Sequence, residues 1–119
     1  MVDDEVRFAE LIKVVLQNAG HQVDVVHDGA DALAKLTAHP EHYHILITDH
    51  SMRKVSGLEL LLDLPVNTFK GRIIVLSGYL TLELDAKYRA LGADRIMKKP
   101  FDVDELRKTV EELRPQLAA

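Results

Sequence analysis

The sequence predicts a doubly wound α/β domain, in which helices cover both faces of a parallel β-sheet. Short apolar runs rich in β-branched residues alternate along the chain with segments of helical periodicity. The apolar runs lack interleaved polar residues, which indicates strands that are buried on both sides. The 119 residues contain no linker and no internal repeat, so we expect one domain over residues 1–119.

Five helices are predicted, each with a recognisable start or end. The first begins near Glu5, and its apolar residues keep the i, i+3, i+4 spacing of one helix face until Gly20 ends it in a left-handed conformation. Asp102 and Glu105 predict a capping box that opens the last helix. The remaining signals are residues 32–36 before Pro40, residues 57–64 before Pro65, residues 82–91 before Gly92, and Pro115 after the last helix.

Five strands are predicted, and the first of them is truncated. The others cover residues 22–26, residues 45–48 ending at Asp49, residues 73–76 ending at Ser77, and residues 95–98. The first helix leaves only residues 1–3 for the first strand, which is shorter than the usual ~5–6 residues. We expect a start site assigned too late or a trimmed chain, or else a sheet completed in another way, for example by homodimerisation.

Polar side chains follow four of these strands, at the edge where function lies in an open parallel sheet. Asp3 and Asp4 follow the first strand, Asp49 the third, Ser77 the fourth and Lys99 the fifth. Three carboxylates in one crevice repel each other unless a cation lies among them, and oxygen ligands without His or Cys favour Mg²⁺. With an amine and a hydroxyl beside them, they predict a site that handles a phosphoryl group, one carboxylate being the nucleophile.

The segments that carry these residues resemble the four motifs of the response-regulator receiver domain family, in the family's order and at its usual separations. They are Val2-Asp3-Asp4-Glu5, Thr48-Asp49-His50-Ser51-Met52 leading to Gly57, Leu76-Ser77-Gly78, and Lys99-Pro100-Phe101. The resemblance covers the chain apart from the start of the first strand. It implies a flavodoxin-like fold, with a five-stranded parallel sheet in the order 2-1-3-4-5 flanked by five helices.

The resemblance also implies a two-component signalling switch that catalyses at most its own phosphorylation and dephosphorylation. Asp49 would accept a phosphoryl group from a sensor histidine kinase or phosphotransfer protein, and this would alter binding to a downstream effector or output domain. Asp4, Asp49 and the backbone carbonyl of Ser51 would hold Mg²⁺, with Asp3 contributing through water. The residues implied to bind the phosphoryl group, or to fix the turn beside it by a cis bond, are Ser77, Lys99 and Pro100.

Two positions depart from the family pattern. Arg53 stands where the family often has proline. Ile96 stands where the family often has Phe or Tyr, whose rotation reports phosphorylation, and a branched aliphatic side chain cannot make that movement. Tyr79, two residues after Ser77, is an alternative reporter.

Composition excludes several other classes of function. The net charge of −4 argues against nucleic-acid binding, and the apolar stretches are too short to cross a membrane. The absence of cysteine and of an N-terminal signal peptide favours a cytoplasmic location. His39, His42 and His44 suggest a transition-metal site, but a solvated connection is the favoured interpretation. We interpret His50 as a loop residue and Tyr88 as a core residue.

Two alternatives to the switch remain at this point. Haloacid-dehalogenase-like phosphatases also use an aspartate after a parallel strand together with Mg²⁺, but they need a second acid two residues later, where this chain has Ser51. The other alternative is a receiver-shaped protein-binding module that is no longer phosphorylated, and the truncated first strand, Arg53 and Ile96 keep it open.

Overall fold

The computed structural model describes residues 1–52, 55–64 and 69–114, and it shows five helices and a parallel three-stranded sheet within them. In chain order the elements are α1 (Val6–Asn18), α2 (Gly29–Ala38), β1 (Ile45–Asp49), α3 (Gly57–Asp63), β2 (Arg72–Ser77), α4 (Leu82–Ala90), β3 (Arg95–Lys98) and α5 (Val103–Leu113). All five predicted helices and the last three predicted strands are therefore confirmed.

The sheet has the strand order β1-β2-β3, and all three strands run parallel. Beyond β1, Val2 forms isolated parallel bridges with both Thr48 and Val26. The predicted five-stranded sheet is thus not confirmed: within the described residues, the first and second predicted strands are represented only by these bridges. The physical reason is the shortness of residues 1–3, which offer residues 22–26 too few backbone groups for a ladder.

Side chains cap the amino ends of four helices, and left-handed glycines follow the carboxyl ends of α1 and α4. The hydroxyl groups of Ser56 and Thr81 accept hydrogen bonds from backbone N–H groups at the starts of α3 and α4. The predicted capping box at α5 is wrong in detail, because the Asp102 carboxylate accepts from the N–H of Asp104 rather than from that of Glu105. The left-handed glycines are Gly20 and Gly92, with φ of 96° and 97°. Arg53, Pro65 and Pro115 lie outside the described residues.

Strands β1 and β2 are largely buried on both faces, as a doubly wound domain requires, whereas β3 is exposed at its ends and half-buried at its two central residues. Alternate residues of β1 and β2 belong to different core clusters: Leu46 and Val75 pack in the cluster that contains residues of α2, α3 and α4. Ile47 and Ile74 pack in the cluster that contains residues of α1 and α5. No helix in the described ranges has both the length and the apolar character needed to cross a bilayer.

Candidate functional site

Three carboxylates meet at the carboxyl end of the sheet. The backbone N–H of Asp49 donates to the carbonyl of Val2, so the end of β1 lies directly beside Asp3 and Asp4. One carboxylate oxygen from each of the three acids lies within 4.8 Å of the others. Among the described residues this is the one group of three or more acidic, histidine or cysteine side chains with the spacing of metal ligands.

Asp3 is fully buried and only half satisfied. Its Oδ1 accepts a hydrogen bond of 2.9 Å from the backbone N–H of Glu5, whereas its Oδ2 is buried without a hydrogen-bond partner. Burial raises the pKa of Asp3 above its usual value, and the charge of Asp49 raises it further, while the Glu5 N–H and Lys99 act in the opposite direction. Asp49 is also buried, and Asp4 is half-buried. The site therefore brings the negative charges of three carboxyl groups close together.

Lys99 supplies a positive charge beside two of these acids. Its Nζ lies 3.1 Å from Oδ1 of Asp49 and 3.8 Å from Oδ2 of Asp3; the first distance allows a hydrogen bond and the second only an ion pair. The same ammonium lies 4.7 Å from the centre of the Phe8 ring, which packs edge-to-face on Phe101. The backbone N–H of Lys99 donates to the carbonyl of Ser77, so the two strand ends are held together.

Ser77 is the buried last residue of β2, and its hydroxyl is engaged within its own loop. The Oγ donates to the backbone carbonyl of Tyr79 and accepts from the N–H of the same residue. The hydroxyl proton is thus available to another acceptor only if this contact is given up. Chemically, the site combines a nucleophilic carboxylate, two more carboxylates, an ammonium group and a hydroxyl.

The comparison with known protein families identifies the chain's relatives. Residues 1–111 match the model of the response regulator receiver domain. The chain belongs to this family. Receiver domains are components of two-component systems, in which they interact with kinases or phosphotransfer proteins and with effector domains, and they are generally not true enzymes.

Individual relatives agree with this assignment. The chain is 29% identical to sporulation initiation phosphotransferase F of Bacillus subtilis, with 97% of this chain and 91% of that protein covered. It is 32% identical to the CpxR homologue, a transcriptional regulatory protein of Haemophilus influenzae, with 89% of this chain but only 45% of the relative covered. The receiver domain of Francisella response regulator 1452 superposes with a TM-score of 0.85 at 28% identity, over 94% and 91% of the two chains.

The receiver domain brings four of the predicted site residues together, namely Asp3, Asp4, Asp49 and Lys99. The remaining predicted residues lie around them. Ser51 is exposed in the segment after β1. Ile96 is half-buried and packs against the core, at the position where the family often has an aromatic ring. Tyr79 is 70% exposed. The Lys99–Pro100 peptide bond is cis, in agreement with what the resemblance implies.

Three residues near the site were not assigned to it from the sequence. Phe8, interpreted only as part of the apolar face of α1, carries its ring against the Lys99 ammonium. His50, interpreted as a loop residue, places its Nδ1 2.5 Å from the hydroxyl of Tyr88, the core residue of α4. The position of His50 directly after Asp49 was a signal that it lies near the site, but no local pattern indicates Tyr88 as its partner.

Proposed function

We propose that this receiver domain is a phosphoacceptor switch, phosphorylated on Asp49 in the presence of Mg²⁺ by a histidine kinase or phosphotransfer protein. The observation that carries the proposal is the buried group of three carboxylates with Lys99 at its edge. The Bacillus subtilis relative is named a phosphotransferase, which supports the same chemistry. Phosphorylation would change binding to an effector protein or to an output domain.

The residues present fit a hard divalent cation. Three carboxylates lie together beside the ammonium of Lys99, and the buried Oδ2 of Asp3 lacks a hydrogen-bond partner. Asp4, Asp49 and the carbonyl of Ser51 would hold Mg²⁺, and Asp3 would act through water. Bound there, the ion would supply positive charge to the oxygens of the transferred phosphoryl group.

Asp49 is placed to act as the nucleophile. Its carboxylate oxygen forms a bond to phosphorus while the bond from phosphorus to the donor's nitrogen or oxygen breaks, and the leaving group takes up a proton from solvent. Lys99, 3.1 Å from the same carboxylate, holds it before the reaction and then pairs with the negatively charged phosphoryl oxygens. The ammonium is positioned by the ring of Phe8 and by its own hydrogen-bonded backbone.

Ser77 would respond to the phosphoryl group. Its hydroxyl donates to the Tyr79 carbonyl in the present structure, and a phosphoryl oxygen is a stronger, charged acceptor. Redirecting that hydroxyl releases the carbonyl and lets the residue 77–79 loop move. Because receiver domains are switches between two surface conformations, this movement shifts a population rather than creating a new state.

The partners follow from the same proposal. The chain spans less than half the length of the CpxR homologue and of the cell cycle response regulator CtrA of Brucella ovis, so the receiver domain would act either through a separate effector or through an output domain joined to it. We propose a cytoplasmic location for this exchange, because the phosphodonor proteins of two-component systems act there.

The test is intact mass spectrometry after incubation with Mg²⁺ and acetyl phosphate. We expect the wild-type protein to gain one phosphoryl group, and Asp49→Asn to gain none. Asp24→Asn is the matched control, because Asp24 is an acid at the opposite end of the sheet, and it should react like wild type. A folded wild-type protein that stays unmodified, and that shows no amide shift with beryllofluoride, would instead support the inert binding module.

A further inference from the structure

A hydrogen bond joins the residue after the proposed phosphoacceptor to the last turn of α4. The Nδ1 of His50 lies 2.5 Å from the hydroxyl oxygen of Tyr88, and the two rings meet edge-to-face at 5.5 Å with an interplanar angle of 82°. Tyr88 is fully buried, whereas His50 is half-buried. The contact therefore connects the loop that carries Asp49 to a helix more than thirty residues later in the chain.

The backbone around Gly57 is built to admit this hydroxyl. A Cβ at Gly57 would lie 2.6 Å from the Tyr88 hydroxyl oxygen and 2.8 Å from the carbonyl oxygen of Asp49, both too close for a real side chain. The N–H of Gly57 donates to the His50 carbonyl at 2.9 Å. The start of α3, the end of β1 and the Tyr88 hydroxyl thus pack on one another without space for a side chain between them.

The hydroxyl is also close enough to Asp49 to feel its charge. Burial raises the pKa of Tyr88, the charge of Asp49 raises it further, and a hydrogen bond from the backbone of Leu58 acts in the opposite direction. The hydroxyl therefore stays protonated at neutral pH. A hydroxyl that accepts from the Leu58 N–H can donate its own proton to His50, so it is satisfied on both sides.

We propose that His50 and Tyr88 form a coupling pair that transmits the phosphorylation state of Asp49 to α4. The proposal rests on the proposed phosphorylation of Asp49. A buried hydroxyl left without its partner is costly, so a shift of the segment that begins at His50 moves Tyr88 with it rather than breaking the contact. The segment has reason to shift, because it would place the Ser51 carbonyl on the metal. Both residues are positioning residues: neither would touch the phosphoryl group.

This route suits a receiver domain without the usual aromatic reporter. Ile96 occupies that position and packs against the core, and the Tyr79 side chain is largely exposed. Tyr88, by contrast, is buried, aromatic and hydrogen-bonded to the site loop. Its side chain is one of the largest that are fully buried, so its displacement would disturb the packing of α4.

The experiment compares amide NMR shifts of the whole chain with and without Mg²⁺ and beryllofluoride, which occupies the place of a phosphoryl group. In the wild type we expect shifts in two regions, the site segments (residues 49–52 and 77–79) and α4. In Tyr88→Phe the site shifts should remain, and the α4 shifts should fall by roughly half or more. Tyr43→Phe is the matched control, because the hydroxyl of Tyr43 donates to Asp24 away from the site, and both sets of shifts should persist.

A second variant protects the test against loss of folding. His50→Leu changes a half-buried position, and it should reproduce the loss at α4; the double variant should lose no more than either single variant if the pair acts as a unit. Full α4 shifts in a folded Tyr88→Phe or His50→Leu protein would overturn the coupling pair alone. A wild-type protein without site shifts would instead overturn the proposed phosphorylation, so the two failures are distinguishable.

Discussion

At the carboxyl end of the sheet, Asp3 keeps a buried oxygen without a hydrogen-bond partner; at the opposite end, charged groups pair with neighbouring side chains. There the Tyr43 hydroxyl donates to the Asp24 carboxylate at 2.6 Å, and His21 lies 3.1 Å from Glu111. Both pairs border a cavity of about 430 Å³ that is lined by residues 20–24 and 42–45, among others.

The pKa of an aspartate is therefore shifted in opposite directions at the two ends of the sheet. The hydrogen bond from Tyr43 lowers the pKa of Asp24, whereas burial raises the pKa of Asp3. Charged groups at the amino end have side-chain partners, whereas the acids crowded at the carboxyl end suit the cation that we propose there. The comparison teaches that acids mark a binding site where their pairing is incomplete, rather than wherever they are numerous.

Histidines at the amino end show the same distinction. His39, His42 and His44 are exposed, and His42 packs edge-to-face on Tyr43. Within the described ranges the histidines do not form a three-ligand cluster of the kind that the acids form. The exposure of all three side chains agrees with a solvated connection.

The largest expected difference between the two ends is in binding of divalent cations. Mg²⁺ should shift the amide resonances of residues 3–4 and 49–52 and leave residues 39–44 unchanged. Asp4→Asn should weaken this binding by ~10–100-fold, because one anionic ligand is lost from a site selected by charge. An NMR titration measures the affinity, and His42→Ala is the control with unchanged Mg²⁺ binding. Equal Mg²⁺ affinity in wild type and Asp4→Asn would refute the acidic metal site.

A smaller effect is expected on stability without metal. Asp3→Asn should raise the free energy of unfolding by about 1 kcal/mol at neutral pH, because it removes a buried charge with an unsatisfied oxygen while the amide oxygen can keep the Glu5 hydrogen bond. That corresponds to a thermal midpoint higher by ~4–8 °C. Thermal unfolding followed by circular dichroism in the presence of a chelator measures it.

The pH dependence fixes the sign of this effect. The pKa of Asp3 is raised on folding. Its stabilising contribution to the free energy of unfolding is therefore fully present below the unfolded pKa of 3.8 and is lost as the pH rises through the folded pKa. The higher stability of Asp3→Asn should therefore be absent below about pH 3.8 and should grow as the pH rises through the folded pKa of Asp3. Asp24→Asn should behave oppositely, because the folded pKa of Asp24 is lowered. An Asp3→Asn protein less stable than wild type at neutral pH, without metal, would contradict a net destabilising effect of the buried Asp3 charge.

The smallest effect is expected where the site relies on an aromatic neighbour. Phe8→Leu removes the ring beside the Lys99 ammonium and should slow phosphorylation by acetyl phosphate by about 2–5-fold, the equivalent of an ~0.5–1 kcal/mol cation–π contact. Phe69→Leu is the control, because Phe69 is buried in the core without contact to Lys99, and it should lower stability but not the rate. An unchanged rate in Phe8→Leu would show that Lys99 needs no such support.

The sequence by itself determined the order of helices and strands and the residues at the strand ends. Apolar periodicity placed all five helices, continuous apolar runs placed β1 and β2, and the short segment after Gly92 placed β3, because these signals are local. Since parallel strands end at one edge of a sheet, the motif residues Asp3, Asp4, Asp49 and Lys99 were expected to meet, and they do.

Only the tertiary structure decided how these residues are satisfied. Whether residues 1–3 and 22–26 pair as strands or as single bridges depends on how many partners each finds across the sheet. The contact of Phe8 with Lys99 and that of His50 with Tyr88 join positions far apart in the chain. Periodicity and capping signals act over a few residues, whereas these contacts, and the burial of an Asp3 oxygen without a hydrogen bond, arise from packing of the whole chain.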